Sequence, residues 1–241
     1  MKPIIVDLYL TYHCNLSCQH CCHSAGPHRT ESMTYEQIKF VDSWLTAIKA
    51  MGRSVLAIGF TGGEPTLHPH FNEIVMMLSH HKKTSQFALL TNGTQPVGIK
   101  HKGVFDSITI SADIFHKEQT DITANLRSLV DVTPRVVYSS GTIFRDKGRC
   151  ENIVNTLNFV GKLCTHHKVT NQGKTIRICF DPLTIRFCLE NSLYKEEAPE
   201  NFVEYKKDFL TNPDKLVELA DNFTLSCSGD RCPHPCKYYK K

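Results

Sequence analysis

Three cysteines stand close together near the start of the chain, with the spacing C-x3-C-x2-C: Cys14, Cys18 and Cys21. Thiolates this close in sequence meet at one centre when the backbone loops around it, and soft thiolate ligands select zinc, copper(I) or an iron–sulfur cluster. Zinc in a structural site takes a fourth protein ligand, whereas a cubane cluster held by three cysteines leaves one iron open. The spacing predicts a metal centre, with a zinc knuckle or buried thiols without metal as the alternatives.

The segment that precedes these cysteines is a strand candidate. Residues 4–10 form a mostly apolar run of strand length. The cysteine loop then begins at the carboxyl end of a first strand, which is where parallel α/β folds place their ligands.

Strand and helix patterns alternate along most of the chain. Thr34 and Gln37 form a capping-box pattern before a helix that we expect to end at Gly52, and Val55–Phe60 reads as a buried strand. Further strands are predicted at 87–90, 107–111, 135–138 and 174–180, with helices at 70–81, 117–130 and 151–167 and a short helix or turn at 96–102. Six such alternations predict an α/β fold with a parallel sheet, an open three-quarter (β/α)6 barrel.

The alternation stops after Pro182. A short hairpin around Ile185–Phe187, two short helices at 202–210 and 213–222 and a cysteine-rich end follow. We therefore expect a core domain of residues 1–182 and a small extension of residues 183–241, which would serve as a lid or hold a second metal centre.

Composition narrows the class of protein. The 241 residues are 41% hydrophobic and 22% charged, and a net charge of +4 does not by itself indicate nucleic-acid binding. There is no run of membrane-span length and no secretion signal, and 11 cysteines without such a signal favour a reducing, cytoplasmic compartment. The pair His80-His81 falls on a predicted helix and is expected to be solvent-exposed.

A second motif gives the cysteine loop a family context. Gly62-Gly63-Glu64-Pro65 follows the second strand, just as the cysteine triad follows the first. Together, in this order and at these strand ends, the two motifs resemble the radical S-adenosylmethionine (SAM) superfamily over about residues 4–182. The resemblance implies a partial (β/α)6 barrel, in agreement with the alternation.

The resemblance also implies roles for individual residues. Cys14, Cys18 and Cys21 would hold a 4Fe–4S cluster whose open iron binds the amino and carboxylate groups of SAM. Gly62, Gly63 and Glu64 would meet the methionine amino group. The other implied SAM-site residues are His20 at the adenine, Ser111 and Asp113 at the ribose, Asn92 in the cavity wall, and Arg145 or Arg149 at the SAM carboxylate.

Several of these residues also have plain structural interpretations. His20 can cap its own loop, Asn92 is part of an ordinary Asn-Gly turn signal, and Arg149 can be a surface charge at the start of a helix. Cys22 lies outside the family pattern and is interpreted as a small buried apolar residue. His116 either caps the following helix or reaches the substrate.

The chemistry implied by the resemblance is radical chemistry. A reductant such as flavodoxin or ferredoxin would reduce the cluster, SAM would be cleaved to methionine and a 5′-deoxyadenosyl radical, and that radical would take a hydrogen atom from the substrate. The substrate is a peptide, a nucleotide or a small metabolite; the chain begins almost at strand one, which speaks against a leader-peptide-binding domain. The alternative is a non-catalytic zinc or iron–sulfur module, although such a module has no use for Glu64.

Four more cysteines follow the barrel region: Cys188, Cys227, Cys232 and Cys236. They resemble the SPASM or twitch extensions that hold auxiliary clusters in some family members, with a spacing that departs from the family pattern. We expect all four to meet at one centre, which would be an iron–sulfur cluster or zinc, with unligated thiols as the remaining alternative.

Overall fold

The computed structural model describes residues 1–18, 21, 23–95, 103–111, 136–139, 174–187 and 202–226, with the backbone alone at 136–139 and 224–226. In these ranges no helix is long and apolar enough to cross a membrane. The segments predicted as helix or turn at 96–102, 117–130 and 151–167 lie outside the described residues.

One sheet of eight strands organises the described part of the chain. Its strands run in the order β5-β4-β3-β2-β1-β6-β7-β8 and do not close into a ring. The five pairings among strands β1 to β6 are parallel, whereas β7 pairs antiparallel with β6 and β8 pairs antiparallel with β7. The strands are β1 Ile4–Tyr9, β2 Val55–Thr61, β3 Gln86–Thr91, β4 Ser107–Ser111, β5 Val136–Ser139, β6 Ile176–Phe180, β7 Ile185–Arg186 and β8 Phe202–Val203. The predicted partial barrel is confirmed.

Strand β1 lies in the interior of the sheet. It pairs in parallel with β2 on one side and with β6 on the other, so that Val6 lies beside both Ile58 and Ile178. The cysteine loop therefore leaves from an inner strand, whose backbone is held on both edges. Such a strand gives the loop a rigid base.

The helices are α1 Tyr35–Ala50, α2 Phe71–Leu78, α3 Asp208–Thr211 and α4 Asp214–Ser226, with 3-10 turns at Pro65–Leu67 and Ser79–Lys83. The predicted capping box opens α1: the Gln37 amide donates to Thr34 Oγ1 at 3.2 Å, and the Thr34 amide donates to Gln37 Oε1 at 2.8 Å. Gly52 follows the helix with a φ of 81°, as a helix-ending glycine does.

The two faces of the sheet differ sharply in chemistry. Alternate residues of β1, namely Ile4, Val6 and Leu8, join the apolar core that α1 covers. Trp44 of α1 is fully buried in this core, and its indole Nε1 donates to the Pro213 carbonyl at 3.1 Å, which ties α1 to the start of α4.

The opposite, concave face carries buried charges. Asp7 of β1 forms an ion pair with Arg177 of β6, and Gly59 leaves room for it, because a Cβ there would lie 2.6 Å from Asp7 Oδ1. Arg186 is completely buried, with its Nε 2.5 Å from Asp181 Oδ2 and its Nη2 donating to the Tyr12 hydroxyl at 3.3 Å. A buried guanidinium is tolerated here because a carboxylate compensates its charge.

Three sequence expectations were wrong. His81 is buried rather than exposed, and burial together with the charge of Lys49 lowers its pKa to about 4. The expected helix over 202–210 begins only at Asp208, because Phe202 and Val203 add a strand to the sheet through β7. Leu56 of β2 is 45% exposed, so that strand is not covered on both faces along its whole length.

The buried Arg186–Asp181 pair yields a test of the fold. We expect Arg186→Ala to reduce the free energy of unfolding by about 3–5 kcal/mol, because it leaves a buried carboxylate without its counter-charge. Arg53→Ala is the matched control: it breaks a partly exposed pair with Asp214, for which about 0–1 kcal/mol is expected. Urea unfolding followed by circular dichroism measures both, and equal losses would contradict the role assigned to Arg186.

Candidate functional site

The cysteine loop closes on itself directly after β1. The Cys14 amide donates to the Gly26 carbonyl at 3.2 Å, and the Gly26 amide donates to the Tyr12 carbonyl at 3.3 Å. Inside the loop, the Cys21 amide donates to the Cys18 carbonyl at 3.1 Å. Local backbone bonds thus turn the chain so that the three cysteines belong to one compact loop.

Amide groups surround the sulfurs. Leu16 donates its backbone N–H to Cys14 Sγ at 3.4 Å, and Ala25 donates to Cys21 Sγ at 3.3 Å. The side-chain amide of Asn92 lies 3.7 Å from Cys14 Sγ. None of the four cysteines that the structure describes forms a disulfide. Donors aimed at sulfur stabilise thiolates and tune the clusters that thiolates hold.

The surroundings of the Cys14 thiol favour the binding of a positively charged centre to its sulfur. Burial raises the pKa of its thiol, and the nearby Glu64 and Cys21 raise it further, against the lowering effect of the Leu16 and Asn92 donors. A thiol with these neighbours gives up its proton readily only when a positive centre binds the sulfur. The donor set therefore fits a metal centre.

The spacing of the sulfurs bears on the kind of centre. Four ligands around one zinc ion lie roughly 3.8 Å apart when Zn–S bonds are about 2.3 Å long. Among the Cys, His, Asp and Glu side chains that the structure describes, only Asp42, His80 and His81 bring three ligand atoms within 4.8 Å of one another. Cys14, Cys18 and Cys21 form no such set, so these three sulfurs are not held at the spacing of ligands around a single zinc ion.

Gly62 and Gly63 let the end of β2 approach the base of the cysteine loop. A Cβ on Gly62 would lie 2.4 Å from the Thr11 carbonyl oxygen, and one on Gly63 would lie 2.4 Å from that of His13. Gly62 also has a φ of 145°, which side-chain-bearing residues avoid. The Gly63 and Glu64 amides then donate to Thr11 and His13 at 2.7 and 2.9 Å. The glycine motif therefore packs against the segment that leads directly into the cysteine motif.

Glu64 is fully buried and its carboxylate is well supplied with donors. Oε1 accepts from the Thr66 amide at 3.2 Å, from the Thr66 hydroxyl at 2.5 Å and from the Thr91 hydroxyl at 2.8 Å. Oε2 accepts from the Asn92 amide at 2.7 Å. Burial raises the pKa of Glu64, and these four donors oppose the shift. Within the described chain, the donors around this carboxylate are hydroxyl and backbone amide groups.

Asn92 joins Glu64 to the cysteine loop. Its backbone bonds to Glu64, while its side-chain amide donates to Asn15 Oδ1 at 3.0 Å besides approaching Cys14. Asn15 in turn donates to Thr94 Oγ1 at 2.9 Å. The ends of β1, β2 and β3 are therefore connected by one chain of hydrogen bonds.

The remaining predicted site residues divide into two groups. Ser111 ends β4, next to β3, whose end carries Asn92. The others fall outside the described residues: His20, Cys22, Asp113, His116, Arg145, Arg149, Cys188, Cys227, Cys232 and Cys236. The structure thus brings Cys14, the glycine–glutamate segment and Asn92 together. The roles of the residues outside the described ranges stay predictions.

Sequence reasoning missed the residues that hold this network. Thr66 and Thr91 fix the Glu64 carboxylate, and Asn15 fixes the Asn92 amide. The sequence could have indicated these residues only through their positions. Thr91 ends a strand, and Asn15 and Thr66 each lie next to a motif residue. A threonine beside a buried carboxylate is a ready donor, but the pairing requires the fold to be known.

Comparison with known proteins agrees with the geometry. The family model described as "Radical SAM superfamily" matches residues 8–160. The subtilosin biosynthesis protein AlbA of Bacillus subtilis (strain 168) is 37% identical over 92 residues, 38% of this chain and 19% of AlbA. The GTP 3′,8-cyclase of Chlorobaculum tepidum is 32% identical over 123 residues, 49% of this chain and 36% of the cyclase. The chain thus spans well under half of either relative.

A solved structure with the same fold is that of BtrN in complex with AdoMet and 2-DOIA. It has a TM-score of 0.52 at 14% sequence identity, over 90% of this chain and 87% of BtrN. At this identity the likeness concerns the fold alone.

The Glu64 network yields a test of the site. Glu64→Gln places an NH2 group where a carboxylate oxygen accepts a hydrogen bond, so two donors face each other in a buried place. We expect a loss of about 1–3 kcal/mol in the free energy of unfolding. Glu73→Gln, the same change at an exposed position of α2, is the control and should leave stability within about 0.5 kcal/mol. Urea unfolding compares the two, and an unchanged Glu64→Gln variant would contradict the network.

Proposed function

The chain belongs to the Radical SAM superfamily, and on this premise we propose that it is an enzyme that cleaves S-adenosylmethionine reductively at a 4Fe–4S cluster. The observation that carries the proposal is the contact between the glycine motif and the base of the cysteine loop: the Gly63 and Glu64 amides donate to the Thr11 and His13 carbonyls, just before Cys14. A structural metal loop has no need of a second strand end built so closely against it.

The three cysteines of the loop would hold the cluster. The amides of Leu16 and Asn92 direct donors at the Cys14 sulfur and that of Ala25 at the Cys21 sulfur, and so stabilise thiolates there. When bound, the cluster would supply the electron for reductive cleavage of SAM to methionine and a 5′-deoxyadenosyl radical, which would take a hydrogen atom from the substrate. The chain's own task is to fix the geometry and exclude water around it.

Glu64 and the two glycines would receive the methionine end of SAM. Among the residues that the structure describes, Asn92 donates to Glu64 Oε2, and a carboxylate oxygen has room for a second donor. An ammonium group is a strong donor to a buried carboxylate because the low local dielectric strengthens the attraction. Glu64 would then both fix the end of β3 and hold the amino group.

The other SAM contacts are proposed on the family resemblance. Ser111 and Asp113 would bind the ribose and His20 the adenine, and Arg145 or Arg149 would pair with the SAM carboxylate. Ser111 ends β4, on the same rim of the sheet as Asn92, as this role requires.

For the substrate we propose a peptide. The support is AlbA, a bacteriocin biosynthesis protein and the relative with the higher identity of the two described above. The second candidate is a nucleotide, which the likeness to the GTP 3′,8-cyclase supports over a similar share of the chain. A cytoplasmic location and a flavodoxin or ferredoxin reductant remain part of the proposal.

The cluster assignment predicts the behaviour of single cysteine variants. Cys14→Ala, Cys18→Ala and Cys21→Ala should each lose the cluster iron and all SAM cleavage, because a cubane cannot be held by two thiolates. Anaerobic reconstitution, iron analysis and chromatographic detection of 5′-deoxyadenosine measure these effects.

Cys22→Ala is the matched control, since it removes a thiol next to the triad that the family pattern does not use. It should retain iron and SAM cleavage. Loss of both in Cys22→Ala, with one of the other variants active, would show that the ligands are assigned wrongly.

The cysteine-rich end predicts a second centre. A Cys227/Cys232/Cys236→Ala triple variant should lose metal while it retains the first cluster, and its C-terminal segment should become sensitive to protease. Bound metal compensates for the small core of a short extension. Metal analysis and limited proteolysis measure this, and an unchanged metal content would leave the segment as a lid.

A further inference from the structure

Two histidines and an aspartate meet on the outer, helical layer of the molecule. Asp42 lies on α1, and His80 and His81 lie in the 3-10 turn that follows α2. His81 Nε2 is 3.0 Å from Asp42 Oδ1, and His80 Nε2 is 3.5 Å from the same oxygen. The three ligand atoms all lie within 4.8 Å of one another, which no other set among the described Cys, His, Asp and Glu side chains achieves.

These distances match the size of a transition-metal site. Zinc binds histidine nitrogen and carboxylate oxygen at about 2.0–2.2 Å, so neighbouring ligands of a tetrahedral ion are roughly 3.3 Å apart. The two nitrogen–oxygen distances, 3.0 and 3.5 Å, lie on either side of that value. The three ligand atoms lie within 4.8 Å of one another, so an ion that replaces the His81–Asp42 hydrogen bond can reach all three once the side chains adjust.

The His80 ring is already oriented for this role. Its Nδ1 lies 2.9 Å from the Met77 carbonyl, to which an Nδ1–H donates. The proton on Nδ1 leaves the lone pair on Nε2, the atom that faces Asp42. Metal-binding histidines are commonly held in this way by a hydrogen bond at the second ring nitrogen.

The surroundings set the strength of binding. His81 is buried while about half of the His80 side chain is exposed, so the site opens to solvent on one side and keeps a position for water. Lys49 donates to the His81 carbonyl at 3.1 Å, and its positive charge opposes a second cation nearby. We therefore expect moderate rather than very tight affinity.

We propose that Asp42, His80 and His81 form a binding site for a divalent transition metal of the zinc type, which fastens α1 to the turn after α2. The turn ends at Lys83, just before β3 begins, so the site lies near the amino ends of the strands. The cysteine loop lies at their carboxyl ends. The two centres are therefore separate, and this proposal does not depend on the proposed SAM chemistry.

Two variants test the site without disturbing buried residues. His80→Ala removes a half-exposed ligand, and Asp42→Asn removes the negative charge while it preserves the shape of the side chain. His70→Ala is the matched control, because it removes another exposed histidine that belongs to no set of three ligands. The full chain is used with its iron–sulfur sites reconstituted, and zinc bound to other thiols is then equal in all four proteins.

Zinc per chain is measured by mass spectrometry after equilibrium dialysis against buffered zinc. Wild type and His70→Ala should bind one equivalent more than His80→Ala and Asp42→Asn, or bind it at least about 10-fold more tightly. Zinc should also raise the melting temperature of wild type and His70→Ala and leave that of the two site variants unchanged.

Equal zinc content and equal affinity in wild type and His80→Ala would overturn the proposal. A loss confined to His80→Ala, with Asp42→Asn binding like wild type, would also overturn it, because the carboxylate would then not be a ligand. Circular dichroism of the zinc-free proteins verifies that each variant is folded before the comparison is made.

Discussion

The carboxylate of Glu64 is the interaction on which the site depends. It gathers donors from the segment after β2 and from the end of β3, and through Asn92 it reaches the first cysteine of the loop after β1. Three strand ends are thereby fixed relative to one another by one buried anion. A buried anion is costly, and the cost is tolerable here because four donors, each correctly placed, surround it.

The two faces of the sheet have different roles: one holds the apolar core and the other carries buried charges. The helical face is apolar and holds the core around Trp44, whereas the concave face of β1, β6 and β7 carries Asp7, Arg177 and Arg186 with their partners. Period-two alternation makes this possible within strands that look continuous in sequence. The result is a polar interior next to the cysteine loop, supported by a dry core behind it.

Much of this arrangement could be predicted from the sequence. The strands around Val6 and Ile58, the capping box at Thr34 and the position of the cysteine loop follow from local patterns, and local patterns are what a sequence displays. The pairing of Glu64 with Thr91, the burial of His81 and the strand at Phe202 depend on residues far apart in the chain. Such pairings are set by packing, which propensity and spacing do not encode.

The pairing of β1 with β6 has a consequence for the order of folding. Ile4 and Ile176 lie side by side, although 171 residues separate them along the chain. During synthesis from the amino terminus, β1 and its thiol-bearing loop leave the ribosome long before β6 exists, and contacts of such long range form slowly. One edge of β1 therefore stays unpaired until β6 has been synthesised, while the cysteines are already accessible. In such a nascent chain the cysteine thiols are exposed to oxidation, and the free edge of β1 is exposed to pairing with another chain. Early pairing with β2 protects only the other edge of β1.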